Sequence, residues 1–86
     1  MTKTEMQLLA VHRSPVVLLS DICERYLGWN AQTARLKAAK HALPFPAFQP
    51  EDGNKRSPWM VRVADLAEFL DACAEDGAKR WAHSQL

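Results

Sequence analysis

The segment LPFP at residues 43–46 constrains this chain more than any other. Pro44 and Pro46 each fix φ and lack an N–H, and each pushes the preceding residue, Leu43 or Phe45, out of the helical region. No helix and no central strand can run through them. The chain before them must therefore stop being helical, and the chain after them must leave as an edge strand or polyproline segment. Before them lies AQTARLKAAKHA, residues 31–42. After them comes a turn-rich stretch, Pro50 to Asn54, with Lys55 and Arg56 at or just past its tip.

Upstream, Ser20 is an N-cap residue and Asp21 suits a helix start. Ile22, Cys23, Tyr26 and Leu27 form one apolar stripe, Gly28 stops the helix, and Asn30 caps the next. The second helix carries Ala31, Ala34 and Ala38 on one side, small enough to let it approach its neighbour. Gln32, Thr33, Arg35 and Leu36 project on the others, and Lys40 and His41 lie near its end. A two-turn helix, a glycine turn and a second helix are the proportions of a helix-turn-helix.

Downstream, Trp59, Val61 and Val63 alternate on one face of a strand. Strand, basic loop and strand after such a helix make a wing. Val16–Leu18 is a brief β-favouring run that needs a later strand to pair with. In the last helix Leu66, Phe69, Leu70, Cys73 and Ala74 give a core stripe, with Asp65, Glu68 and Asp71 facing out. Gly77 either ends this helix or lets it continue so that Trp81 extends the stripe. At the N-terminus TEMQLLAV, residues 4–11, reads as a short helix with Met6, Leu9 and Ala10 at helical spacing, a strand being the alternative.

With 86 residues there is room for one domain, and one this small is marginal alone, which favours a homodimer or a bound partner. The expected fold is mainly α with a small β-hairpin, a winged helix-turn-helix. Its parts are an N-terminal extension (1–15), the helix-turn-helix (20–42), the wing (45–63), the C-terminal helix (64–77) and a tail (78–86). Charge is uneven: residues 1–29 are neutral, residues 30–62 carry a net +4 and residues 63–86 a net −3. A basic middle with an acidic back fits a polyanion-facing surface. Cys23 and Cys73 lie fifty residues apart at apolar-periodic positions, which predicts buried free thiols and no metal site. The N-terminus has no signal-peptide core and no apolar run is long enough to span a membrane, so a cytoplasmic protein is expected. His12, His41 and His83 stand in separate segments with no nucleophile or carboxylate arranged beside them. Neither an enzyme nor a cofactor is expected.

The stretches VVLLSDICERYLGWNAQTARLKAAKHALPFPAF and MVRVADLAEFLDAC resemble the pyocin activator proteins of the PrtN type, small phage- and bacteriocin-associated transcription activators. The resemblance covers roughly residues 16–75. It rests on Ile22, Cys23, Tyr26, Thr33, Ala34, Lys37, Ala38, Ala39, Leu43, Pro44, Pro46, Val61, Val63, Asp65 and Leu66. More distantly the chain is similar to AlpA- and excisionase-like winged helix-turn-helix proteins of the MerR-like group, with Gly28, Thr33 and LPFP in the same order. Leu36 departs from the polar or basic residue of many relatives. The resemblance implies a double-stranded DNA-binding regulator, an activator of bacteriocin or prophage genes. The expected contact set is Asn30, Ala31, Gln32, Thr33, Arg35, Leu36, Lys37, Lys40 and His41 from the helix, Asn54, Lys55, Arg56 and Ser57 from the wing, and Arg62. Gln32, Thr33 and Arg35 would read bases and the lysines and remaining arginines would meet phosphates or the adjacent minor groove, the alternative for Lys37 being an inner-side position packed by its stem. RNA polymerase is a further candidate partner. The alternatives are an excisionase-type architectural binder and a protein-binding antirepressor. Phe45 and Phe48 are expected to clamp the first wing strand to the body.

Overall fold

A computed structural model describes residues 2–51 and 57–85. Four helices and two short strands follow the chain in the order α1 (Lys3–His12), β1 (Val16–Leu18), α2 (Leu19–Ile22), α3 (Ala31–Ala39), β2 (Met60–Arg62) and α4 (Val63–Ser84). α2 opens directly into one π-helical turn, Cys23–Leu27. The architecture is mainly helical with a two-stranded antiparallel sheet, as expected of a winged helix-turn-helix.

The sheet places everything else. β1 pairs with β2, Val17 opposite Val61. Both strands run into helices without a loop. The first N–H of α2, Leu19, donates to Trp59 O at 2.9 Å, and the first N–H of α4, Val63, donates to Pro15 O at 2.9 Å. These two bonds continue the strand ladder by one step at each end. Each satisfies one of the orphan N–H donors at a helix start. Ser20 is accordingly not the N-cap of α2. That position is Leu18, with no side-chain cap bond, and Arg62 plays the same part for α4.

The first strand of the wing is reduced to one bridge. Phe48 and Met60 exchange backbone hydrogen bonds of 2.9 and 2.7 Å on the edge of β2 opposite β1. The clamp expected of two phenylalanines is divided. Phe45 is buried edge-to-face on Phe69, centroids 5.3 Å apart, whereas Phe48 holds by its backbone and leaves its ring 39% exposed.

Three helix stops share one device. Arg13, Gly28 and His41 all lie in the left-handed region, at φ 55°, 73° and 55°. Gly28 suits this because a side chain is strained there. Its N–H and that of Trp29 both reach Cys23 O. At the end of α3, His41 N–H donates to Ala38 O (3.1 Å) and Ala42 N–H to Lys37 O (2.8 Å), a full Schellman closure with histidine where glycine is usual. α3 therefore stops at Ala39, not at Ala42. The prolines direct the chain after that stop; they do not cause it.

The core comprises Leu19, Ile22, Cys23, Val61, Val63 and Leu66, all but sealed, with Leu8, Val17, Ala34, Ala38, Phe45 and Ala67 around them. The N-terminal segment is part of this body. Thr2 caps α1 by accepting from Glu5 N–H at 3.1 Å, Leu8 is buried, and His12 Nε2 lies 3.2 Å from the Tyr26 hydroxyl. The expected inward residues of α1 shift by register: Leu8 and Leu9 pack, while Met6 and Ala10 are exposed. Cys23 is buried but Cys73 is exposed, because α4 runs through Gly77 to Ser84 and leaves the body behind.

Candidate nucleic-acid interface

α3 is held by backbone and small side chains. Asn30 caps its start, its Oδ1 accepting from Thr33 N–H at 2.8 Å, and the Schellman closure ends it. Ala34 and Ala38 are buried and Ala31 is half-buried, so the helix axis lies close to α2. The inner alanine side expected from the spacing is thus observed.

The opposite face is a row at helical spacing: Gln32, Arg35, Leu36, Ala39 and Lys40, all exposed. Ion pairs join Lys79 to Glu75 and Arg80 to Asp76 on α4, and none joins Arg35, Lys40 or Arg62 to a described carboxylate. Leu36, 56% exposed, stands in the middle of this cationic row with no packing to explain it.

Several candidates sit elsewhere. Thr33 is half-buried, with its backbone in the cap. Lys37 is on the flank, half-buried, its ammonium 4.7 Å from the Trp29 ring centre. Such a contact contributes about 0.5–1 kcal/mol at a surface site and braces the turn before α3. His41 is exposed just past the helix, where its left-handed backbone closes the Schellman motif. Arg62 is exposed at the junction of β2 and α4, paired across the sheet with Val16.

Arg35 meets the wing. It lines one hollow with Ala31, Ser20, Ser57, Pro58 and Trp59. The hollow joins the start of α2, the exposed side of α3 and the strand leaving the wing. Ser57 closes the base of the wing loop: its carbonyl accepts from Gln49 Nε2 at 2.9 Å and its hydroxyl from Glu51 N–H at 3.2 Å. Asn54, Lys55 and Arg56 lie outside the described residues. Ser20 and Pro58 were not legible as neighbours of Arg35, because their approach depends on the ladder bond from Leu19 to Trp59. No chain-local pattern signals that bond.

A helix presented by two caps, beside a small antiparallel sheet, gives the chain the architecture of a winged helix-turn-helix. The pyocin activator protein PrtN family model matches residues 4–77, and the chain belongs to that family. The match includes α1, which periodicity alone sets apart as an extension. No match was found among curated proteins or among solved structures. No helix of the described residues is long and apolar enough to cross a membrane.

Proposed function

We propose that this protein is a cytoplasmic, sequence-specific double-stranded DNA-binding activator of bacteriocin or prophage genes. It acts as a homodimer, and RNA polymerase is its partner at the promoter. α3 lies in the major groove. Gln32 and Arg35 read base edges, the arginine paired bidentately with guanine, and Leu36 takes a thymine methyl. Lys40, His41, Arg62 and the wing residues Asn54, Lys55, Arg56 and Ser57 meet phosphates or the adjacent minor groove. Asn30, Ala31, Thr33 and Lys37 position α3 more than they touch the duplex. The observation that carries this reading is the exposed row on α3, cationic, without carboxylate partners among the described residues and anchored at both ends.

The test is a salt series of duplex binding, operator against random sequence. About five phosphate contacts give a log–log slope of roughly −4 to −5. Arg35→Ala costs about 1–3 kcal/mol and relaxes one base position, while Lys55→Ala weakens all sequences alike. Binding only in the millimolar range at low salt overturns the proposal.

A further inference from the structure

α4 has 22 residues and is therefore about 33 Å long, but the rest of the chain covers only its first part. Val63, Leu66 and Ala67 are buried and Leu70 is half-buried. The Thr4 hydroxyl donates to Asp71 at 2.5 Å, which marks where α1 ends its cover. From Asp71 to Gln85 every residue is exposed. The apolar stripe does not end with the cover. Leu70, Cys73, Ala74, Gly77 and Trp81 continue the face of Leu66 at helical spacing. Trp81 is 67% exposed. A helical segment with no tertiary contact is marginal in water, and a mid-helix glycine costs about 1 kcal/mol more. A Cβ built at Gly77 would meet nothing within 4 Å, so packing inside the chain does not explain that glycine.

Charge along this segment is segregated. Glu68, Asp71, Glu75 and Asp76 come first, and Lys79, Arg80 and His83 come after them. Two such helices laid parallel would set each charge against its own kind. Laid antiparallel, they set the basic end of each against the acidic part of the other.

We propose that the projecting stripe of α4 is a self-association surface. Two copies of the chain pair antiparallel through it, with Gly77 near the two-fold axis. Trp81 of each copy packs at the level of Cys73 in the other. The glycine lets the helices approach, the tryptophans supply the buried anchors, and the arrangement is isologous and closed. It also relates the two α3 helices by a two-fold axis, which suits inverted half-sites. The inference rests on the proposed homodimer and not on DNA binding.

Sedimentation of the full chain without DNA tests it. The wild type is expected to be dimeric at micromolar concentration. Trp81→Ala should weaken the dimer about tenfold or more while the far-ultraviolet dichroism of the body persists. Orientation is read by mild oxidation. Arg80→Cys should give a disulfide-linked dimer through Cys73 of the other copy, and the wild type should not cross-link. The two cysteines of one Arg80→Cys chain are two helical turns apart, too far to join each other. A monomer at every concentration overturns the pairing and leaves the stripe to a different protein, while duplex titration still judges α3 separately. A dimer indifferent to Trp81→Ala, or a Cys73–Cys73 cross-link in the wild type, overturns this interface but not the dimer.

Discussion

α3 and α4 each bury one face, but with different side chains and different results. α3 turns two alanines inward, gains little apolar area and takes its position from a cap at one end and a Schellman closure at the other. α4 turns Val63 and Leu66 into the sealed centre of the core, begins on a ladder bond, and then outruns the body it anchors. The contrast separates holding from presenting. Large buried side chains decide whether the domain folds. Small ones decide how close α3 lies and therefore where its outer row stands.

The comparison can be broken in order of effect. Leu66→Ala should be the most costly, about 2–5 kcal/mol of stability by denaturant unfolding, because a cavity opens where nothing can relax to fill it. Ala34→Leu overpacks the α2–α3 contact and should cost about 1–3 kcal/mol. Here the surviving folded protein should also lose duplex affinity, since α3 is pushed outward, whereas folded Leu66→Ala should keep it. Equal affinity losses in the two variants would erase the distinction between holding and presenting. Asn30→Ala removes the cap and should lower stability by about 1 kcal/mol. Amide exchange should show the loss confined to the first turn of α3. His41→Gly should run the other way, raising the melting temperature through a gain of roughly 0.5–1 kcal/mol, because a left-handed backbone no longer carries a side chain. A fall in stability would mean that the histidine ring itself supports the turn.

Much of the frame was legible in periodicity. The stripe of Ile22 and Cys23, the Gly28 stop, the Asn30 cap and the inner alanines of α3 are local features, and local chemistry decides them. What could not be read depends on distance along the chain or on the size of the body. Val17 pairs with Val61 across more than forty residues, and that pairing supplies the starts of α2 and α4 without any capping side chain. The stripe on α4 reveals which side is apolar but not where its cover ends, so Cys73 read as buried when it is exposed. His41 and Arg13 adopt a backbone that residue type alone does not announce. In the candidate site, Gln32, Arg35 and Leu36 were identifiable as projecting. An inner-side Lys37 was readable as an alternative, but Trp29 as its partner was not, since that contact depends on the path of the chain around Gly28.

Ser57 has a consequence for how this protein could change over time. The two bonds that close the wing loop use only Gln49, Glu51 and Ser57, residues that flank the segment between them. Doubling the length of a closed loop costs only about 0.6 kcal/mol in closure entropy. The segment between Glu51 and Ser57 is in that sense a cassette. A change in its length therefore alters the closure entropy of the fold behind the latch only slightly.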